Sequence, residues 1–402
     1  MKILVLSPKP PWPPHDGGAV AIMRCVEGLA SGGAQISLLA MKTEKYGDRK
    51  IPEETSLRSL MHYETVPVNT RIKPLRMAGN LLFSGKPYDL ARFRSERYSE
   101  ALQRLIPEGG FDIIQCEGPL FTYYLDGIKK LTSAPVVLRA HNIEHRIREM
   151  TALNTAGVFR KAYLSDLARR IARLETEAAQ IFDAVIPISE PDMQWFSSVR
   201  RVKPLLLVET GTDTARYIRE PKEDSLKIGF IGALNWKPNV DGIRWFLKEV
   251  WPRVTMKFPD ATLHIAGKGA PKGTPRRLSG ERVIYEGEVD DAGAFMASVN
   301  VVIAPLFAGS GLRIKIIEAM SIGRTVIATP VAVNGIPAVD RRELIIAADA
   351  TSFCNAVTEA LENRELRKAI GEAAVRLVEE RYDNRANTAR LLEFYNELTR
   401  GC

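Results

Sequence analysis

Residues 301–320 read VVIAPLFAGSGLRIKIIEAM and hold the pattern that decides the fold. The apolar run Val301–Ala304 predicts a buried strand, and the residues from Arg313 onward predict a helix with an apolar face. Two glycines and a serine lie between them. A short apolar strand, a glycine-rich loop and a helix in this order are typical of one βα unit of a parallel sheet.

The loop of this unit also has the features of an anion site. Glycine leaves backbone N–H groups open to close approach, and Ser310 is placed to cap the helix. Arg313 and Lys315 fall in the first helical turn, where a cation is repelled by the helix dipole unless an anion lies between them. We therefore predict a phosphate site at the helix N-terminus, Ser310–Leu312. The alternative is an ordinary capped helix that packs on a sheet.

Short apolar runs alternate with helical patterns along the whole chain. Six runs precede a polar break at Arg219–Ser225, and six follow it. Such alternation predicts parallel sheets covered by helices on both faces, in two Rossmann-like domains that face a cleft. The predicted fold class is α/β, with domains at residues 1–213 and 214–381 and a C-terminal helix, 382–402, that crosses back to the first domain. The predicted strands are Ile3–Leu6, Ile36–Ala40, Asp112–Cys116, Val136–Ala140, Ala184–Ile188, Leu205–Val208, Lys227–Ile231, Thr262–Ala266, Val283–Tyr285, Val299–Ala304, Thr325–Ala328 and Leu344–Ile346.

Length and composition agree with a two-domain globular protein. The chain has 402 residues, of which 45% are hydrophobic and 26% charged. The first apolar run is too short for a secretory signal, and no run reaches the length of a membrane span. The cysteines are far apart, which favours reduced thiols in the cytoplasm over disulfides or a cysteine zinc site. They are Cys25, Cys116, Cys354 and Cys402.

Two segments concentrate the net charge of +8. Residues 71–97 hold seven basic and two acidic residues, and residues 139–175 hold eight and four. Because Leu81, Leu82 and Phe83 are interspersed in the first segment, it is either an amphipathic surface that contacts an anionic inner membrane or a solvated basic face. The chain has no zinc-finger spacing, basic heptad region or aromatic ribonucleoprotein strand, so we expect no nucleic-acid partner.

Polar residues and glycines follow two predicted strands of the first domain. Gly17 and Gly18 open a helix after the first strand, where backbone amides can meet a phosphate, although a flexible turn is the alternative. His141 follows the strand Val136–Ala140. With Glu144 and His145 it spells His-x-x-Glu-His, the inverted pattern of some zinc hydrolases. A strand-end histidine fits that pattern poorly, because a zinc site needs both histidines one turn apart on a helix.

Six motifs occur in order along the chain. They are Gly17-Gly18, Arg139-Ala140-His141-Asn142, Val208–Asp213, Gly229–Gly232, Trp236–Asn239 and Glu318–Ala328. Taken together they resemble glycosyltransferase family 4, and the resemblance covers nearly the whole chain. It implies the GT-B fold, with residues 1–213 as the acceptor domain and 214–381 as the donor domain. It also implies retaining transfer of a hexose from a nucleotide-diphosphate sugar to a glycan or lipid-linked acceptor in polysaccharide biosynthesis.

On this resemblance the site residues fall into two groups. His141, Arg313 and Lys315 are predicted to act in catalysis. The predicted donor-binding residues are Gly17, Gly18, Asn235, Lys237, Glu288, Val289, Ser310, Gly311, Leu312 and Glu318. Glu288 and Val289 belong to a loop similar to the family's base-binding loop, and Glu318 is expected to accept hydrogen bonds from the ribose.

The chemistry predicts a metal-independent site. Cleavage of the donor develops negative charge on the leaving β-phosphate, and the chain has no Asp-x-Asp to hold a divalent ion. Arg313, Lys315 and backbone amides are expected to neutralise that charge, so we expect neither a metal nor a cofactor besides the nucleotide-sugar co-substrate.

The sequence also departs from the family in two places. Ser310 stands where the family usually has a glutamate, and the family's arginine after the glycines near Gly232 is missing. A nucleotide-sugar epimerase and a catalytically silent nucleotide-sugar binding protein therefore remain alternatives.

Overall fold

The computed structural model describes residues 1–14, 16–44, 61–153, 155–199, 204–213, 226–270, 273, 278, 280–309 and 311–400. The chain forms two compact units, Met1–Thr210 with Arg385–Cys402 and Gly211–Asn384. Each unit contains a parallel sheet that has six strands in the described residues, which confirms the predicted α/β fold class. Among those residues, none of the helices has the length and apolar character needed to span a bilayer.

The first unit has the strand order β3-β2-β1-β4-β5-β6. Its strands are β1 (Lys2–Ser7), β2 (Gln35–Lys42), β3 (Met61–Pro67), β4 (Ile113–Glu117), β5 (Val136–Ala140) and β6 (Ala184–Pro187). Its helices are α1 (Gly17–Ser31), α2 (Pro74–Phe83), α3 (Tyr88–Ala91), α4 (Glu96–Gly109), a 3-10 turn (Pro119–Tyr123), α5 (Leu125–Leu131), α6 (Glu144–Leu153), α7 (Val158–Ile181) and α8 (Glu190–Val199).

The second unit repeats this topology, with the order β12-β11-β10-β7-β8-β9. Its strands are β7 (Lys227–Ile231), β8 (Thr262–Ala266), β9 (Val283–Gly287), β10 (Val301–Ala304), β11 (Thr325–Ala328) and β12 (Ile345–Ile346). Its helices are α9 (Lys237–Trp245), a π-helical turn (Phe246–Val250), α10 (Trp251–Lys257), α11 (Ala292–Ala297), α12 (Ile314–Ser321), α13 (Pro330–Val333), α14 (Ala350–Glu362) and α15 (Arg364–Arg381). The last helix, α16 (Asn384–Arg400), lies almost wholly in the first unit.

Alternation along the central strand β1 explains the layered core of the first unit. Successive side chains point to opposite faces of a strand. Leu4 and Leu6 therefore pack with α4 on one face, whereas Ile3 and Val5 pack with α1 and α16 on the other. All four side chains are fully buried, as expected for a parallel sheet covered on both sides.

The strand order fixes where ligands can bind. In each sheet the chain reverses its direction of winding between two neighbouring central strands, β1 and β4 in the first unit and β7 and β10 in the second. Loops at the carboxyl ends of the strands diverge at such a point and leave a crevice. The loops that carry most of the predicted site residues follow these strands.

Most predicted elements are present, with two differences among the strands. The segment Leu205–Val208 runs beside β6 through backbone bonds from Leu206 N to Val185 O and from Val208 N to Pro187 O, but only one residue pair forms a ladder bridge. The strand β3 was not predicted. It is an edge strand in which five of seven side chains are half or fully exposed, so it lacks the continuous apolar run of the central strands.

Candidate functional site

In the first unit, the loop after β1 places a lysine beside the glycine pair. Asp16 caps α1 by accepting a hydrogen bond from Ala19 N at 2.8 Å, and it also pairs with the Lys9 ammonium. A Cβ at Gly18 would lie 3.0 Å from Lys9 Nζ, whereas at Gly17 it would meet nothing within 4 Å. The glycine pair thus leaves the first turn of α1 open beside a fixed cation.

His141 lies directly after β5 and is bonded to a carboxylate that the sequence analysis did not single out. Its Nε2 contacts Oε2 of Glu117, the last residue of β4. The same oxygen accepts a hydrogen bond from Arg139 Nη1 at 3.2 Å. The side chains of Glu117 and Arg139 are almost fully buried, so the carboxylate lies between a guanidinium and an imidazole within the sheet.

A second row of hydrogen bonds connects Glu117 to the C-terminal helix. Glu117 Oε1 accepts from the amide of Gln115, and Gln115 Oε1 accepts from the hydroxyl of Tyr395 at 2.6 Å. Tyr395 belongs to α16 and is fully buried. The last helix of the chain therefore contributes directly to the arrangement that holds His141.

The electrostatics of this group fix the protonation of His141. Burial lowers the pKa of His141, with smaller lowering effects from Arg139 and Lys9 and an opposing effect from Glu117. Burial alone would raise the pKa of Glu117, but Arg139 and the hydrogen bonds from His141 and Gln115 outweigh it and lower that pKa. An ionised carboxylate accepts the Nε2 proton of a neutral imidazole. Nδ1 is then an acceptor, and it is buried with no hydrogen-bond partner in the described part of the chain.

His145 is held by a different carboxylate. Its Nδ1 lies 2.6 Å from Oε2 of Glu175. At the start of α6, the backbone N–H of His145 donates to the same oxygen and that of Glu144 donates to Oε1. The His-x-x-Glu-His pattern therefore divides between two separate histidine–glutamate pairs. No group of three metal-ligating side chains occurs among the residues that the structure describes.

In the second unit, the loop after β10 differs from the predicted capped helix. The helix α12 begins at Ile314, and its N-cap residue is Arg313, which makes no side-chain capping bond. Gly309 and Gly311 have φ values of 117° and 82°, so neither of these two residues is helical. The prediction that the helix begins at Ser310–Leu312 is therefore wrong. Ser310 itself lies outside the described residues.

Arg313 is held against an aromatic ring by the loop after β7. Its guanidinium carbon lies 5.3 Å from the centroid of the Trp236 ring, which is a cation–π contact. A Cβ at Gly309 would lie 2.7 Å from Arg313 Nη2 and 2.9 Å from the Trp236 ring, so only glycine fits there. Burial lowers the pKa of Arg313 to about 10, and the side chain stays charged at neutral pH.

Lys315 and Glu318, which were assigned to different parts of the donor, form an ion pair. Lys315 Nζ lies 2.6 Å from Glu318 Oε2 on the same face of α12. The lysine is 45% exposed and the glutamate 7% exposed. A partly exposed ammonium is thus oriented by a buried carboxylate, with Leu312 half-buried just before the helix.

The remaining predicted donor-binding residues lie on loops after β7 and β9. Asn235 is exposed, and its Nδ2 lies 2.7 Å from where a Cβ on Gly269 would be. Lys237 begins α9 and pairs with Asp241 one turn later. The loop after β9 is at the edge of the sheet, where Glu288 is exposed and Val289 packs against the apolar core.

The position of the loop after β10 depends on a close approach between two backbones. A Cβ on Gly242, in α9, would lie 1.9 Å from the carbonyl oxygen of Pro305, the first residue of the loop. Because a backbone oxygen cannot swing away like a side chain, any larger residue must separate α9 from the loop.

We expect Gly242→Ala to destabilise the protein by about 1–3 kcal/mol, because the added methyl group overpacks this contact. Gly79→Ala is the matched control, since Gly79 lies inside α2 with nothing within 4 Å of an added Cβ. The control should be neutral or stabilising by up to about 1 kcal/mol, because alanine is the better helix former. Chemical denaturation of both variants measures the difference, and equal midpoints would contradict the proposed contact.

Three residues of this geometry were missed by sequence reasoning. Glu117 is the last residue of an apolar strand and precedes Gly118. A charged residue at the end of a strand was the signal that could have identified it as a site residue. Lys9 lies between prolines in the loop after β1. Trp236 was noted only as part of a motif, and its partner Arg313 is far away in the sequence.

Comparison with known proteins identifies related families and folds. The model described as Glycosyltransferase Family 4 matches residues 15–216, and the model described as Glycosyl transferases group 1 matches residues 225–363. An uncharacterized 44.6 kDa protein in the cps region of Klebsiella pneumoniae is 24% identical over 96% of this chain and 97% of its own length. The phosphatidyl-myo-inositol mannosyltransferase of Mycolicibacterium smegmatis is 29% identical over 74% of each chain.

Solved structures share the architecture at low sequence identity. Sucrose-phosphate synthase from Thermosynechococcus elongatus has a TM-score of 0.74 at 15% identity, covering 100% of both chains. HepE from Anabaena, in complex with UDP-glucose, has a TM-score of 0.67 at 16% identity, covering 99% of this chain and 100% of its own. These similarities show the GT-B fold.

Proposed function

We propose that this chain, which belongs to glycosyltransferase family 4, transfers a hexose from a nucleotide-diphosphate sugar to a glycan or lipid-linked acceptor. The glycosyltransferase class follows from the two family models, which together match residues 15–216 and 225–363. The donor, the acceptor, the stereochemistry and the independence from metal are the proposal.

One observation carries the choice of a diphosphate donor. Arg313 lies at the end of the loop after β10 and stacks on Trp236 from the loop after β7, at the reversal point of the sheet. Lys315 adds a second charge one residue into α12. Cations fixed in this crevice are suited to a diphosphate, and they are worth most when the leaving β-phosphate becomes more negative. HepE of Anabaena, which shares the fold, is described in complex with UDP-glucose.

The first unit supplies a second set of groups suited to a sugar. The buried Nδ1 of His141 is an acceptor without a partner among the described residues, and a sugar hydroxyl is a suitable donor to it. The open first turn of α1 at Gly17 and Gly18, with Lys9 beside it, suits an anionic or hydroxyl group. We propose that His141 and the first turn of α1 take part in substrate binding by the first unit.

Retention of anomeric configuration and independence from metal are proposed on different grounds. Retention rests on family membership. Independence from metal is proposed because Arg313, stacked on Trp236, and Lys315, oriented by Glu318, are cations suited to a diphosphate without a metal ion. For the acceptor, we propose a location on the cytoplasmic side of an anionic inner membrane, where a lipid-linked glycan would be available.

A thermal-shift panel with UDP, GDP, ADP and their hexose conjugates tests the donor. Because ligand binding to the native state stabilises it, one nucleotide at about 100 times its Kd should add about 2.7 kcal/mol. We expect this stabilisation to persist in EDTA, and sugar transfer or slow donor hydrolysis to persist with it. Absence of any nucleotide effect would contradict the donor class. Loss in EDTA that manganese restores would contradict metal independence, and binding without turnover would indicate a silent binding protein.

A further inference from the structure

The helix α2 of the first unit is apolar, but none of its ten residues has a buried side chain. Leu75 is 89% exposed, Leu82 74% and Phe83 88%. A surface helix of a globular protein normally buries an apolar stripe, and a helix this short is marginal by itself. The apolar side chains of α2 are therefore available to a partner.

A second group of exposed apolar side chains lies where α6 and α7 meet. Leu153, at the end of α6, is 71% exposed. Val158 and Phe159, at the start of α7, are 82% and 92% exposed. Large contiguous apolar groups on a surface mark sites of interaction.

Hydrogen bonds from α7 hold α2 in place. The guanidinium of Arg170 donates to the carbonyl oxygens of Asn80 at 3.1 Å and Leu81 at 2.9 Å, near the C-terminal end of α2. Phe159 precedes Arg170 by eleven residues on the same helix, which is about three turns and about 16 Å. Phe159 and Arg170 therefore lie on one face of α7, so the C-terminal end of α2 is bonded to the same face of α7 that carries Phe159.

Basic residues adjoin these apolar groups in the sequence. Lys73 and Arg76 flank Leu75, and Arg160 and Lys161 follow Phe159. All four are exposed and form no ion pair within the described residues. The nearby carboxylates of Asp89 and Asp166 are already paired, with Arg148 and with Arg169 and Arg170. Glu149 on α6 is also exposed, so the exposed charge around the apolar groups is predominantly, not exclusively, positive.

We propose that α2 and the α6–α7 junction form one docking surface for an anionic lipid bilayer. The exposed leucines and phenylalanines enter the interface, and the flanking lysines and arginines contact lipid phosphates. Apolar side chains and cations lie next to each other on the same helices. This arrangement fits a bilayer surface better than a protein interface, because the buried centre of a protein interface is depleted of charge. The inference rests on one part of the proposed function, namely that the acceptor is linked to a membrane lipid.

Vesicle co-sedimentation of the full chain tests this surface. The probes are vesicles of phosphatidylcholine alone and of phosphatidylcholine with phosphatidylglycerol, at low and high salt. We expect binding only with the anionic lipid, weakened by salt. Phe83→Glu and Phe159→Glu should each lower the partition coefficient about tenfold or more, because each removes an inserted ring.

The matched control is Met256→Glu, since Met256 is 80% exposed on α10 of the second unit. It introduces the same charge and should leave vesicle binding unchanged.

Equal binding by all three variants, or no binding by the unmodified protein, would overturn the docking surface. So would a dimer in size-exclusion chromatography that Phe83→Glu dissociates, because the face would then bind a second copy. Thermal shifts with nucleotides on the same samples separate this outcome from failure of the proposed donor, and circular dichroism shows that the variants are folded.

Discussion

Replacement of Arg313 by alanine is expected to lower turnover by about a hundredfold or more while the protein remains folded. Arg313 is a fixed cation at the reversal point of the second sheet, stacked 5.3 Å from the centroid of Trp236. Loss of one preorganised group that stabilises developing charge typically costs about a hundred- to a thousandfold in turnover. If the arginine acts mainly on the leaving diphosphate, kcat should fall more than the affinity for the nucleotide.

Two further variants make this expectation specific. Arg313→Lys keeps the charge but loses the planar contact with Trp236, so its activity should lie between those of the unmodified protein and Arg313→Ala. Arg244→Ala removes an exposed cation from α9 of the same unit and should leave turnover within about twofold, because a surface charge contributes little. Steady-state kinetics with the nucleotide sugar found in the panel gives kcat and KM. Equal kcat for Arg313→Ala and Arg244→Ala would remove Arg313 from the mechanism.

The central strands could be predicted from sequence because burial on both faces leaves a direct signature. β5, β7, β8 and β11 lie at the predicted residues, since each is rich in apolar and β-branched residues and lies between polar breaks. The edge strand β3 escaped prediction because one side of it is open to solvent and its residues are mixed. The C-terminal helix was predicted from its 3.6-residue periodicity, which Leu391 and Tyr395 produce by packing on the first sheet.

The site was predictable only where its signals are local. The glycines and cations of the loop after β10 occur within a few residues, so the anion-site pattern was visible. The start of α12 was not, because it depends on positive φ values at Gly309 and Gly311. The contacts that matter most for the site join distant residues. Trp236 meets Arg313, and Tyr395 reaches the sheet through Gln115. No sequence periodicity encodes such pairs.

The buried ion pair of the first unit leads to the second large effect, a loss of stability in Glu117→Gln. Glu117 is the carboxylate that faces the guanidinium of Arg139, whose side chain is 2% exposed. Removing one partner of a buried pair leaves an uncompensated charge and typically costs about 3–5 kcal/mol. The variant should also lose activity, because the carboxylate that orients His141 is gone. Chemical denaturation and transfer assays measure the two effects.

The pH dependence of the unmodified protein should reflect the same group. Because the pKa of His141 in the folded protein is below its ordinary value of 6.5, the unfolded chain binds more protons near that pH. Stability is therefore fully present above pH 6.5 and falls as the pH drops from there toward the folded pKa. The pKa of Glu117 is also lowered, from 4.5, so a further loss begins as the pH falls below that value. Glu117→Gln lacks this second loss.

A comparison of two histidine–glutamate pairs shows whether the unpaired guanidinium causes the effect. Glu175→Gln makes the same change at His145, where Glu175 accepts from two backbone amides and contacts the imidazole but pairs with no arginine in the described residues. It should therefore cost less, about 1–3 kcal/mol for weakened hydrogen bonds.

Adding Arg139→Met to Glu117→Gln removes the buried charge and should recover much of the lost stability, because an apolar side chain of similar length is tolerated in place of a buried ion pair. If the double variant is no more stable than Glu117→Gln, the cost arises from lost hydrogen bonds to His141 and Gln115 instead. If Glu117→Gln and Glu175→Gln lose the same stability, the ion pair with Arg139 does not hold this part of the sheet together.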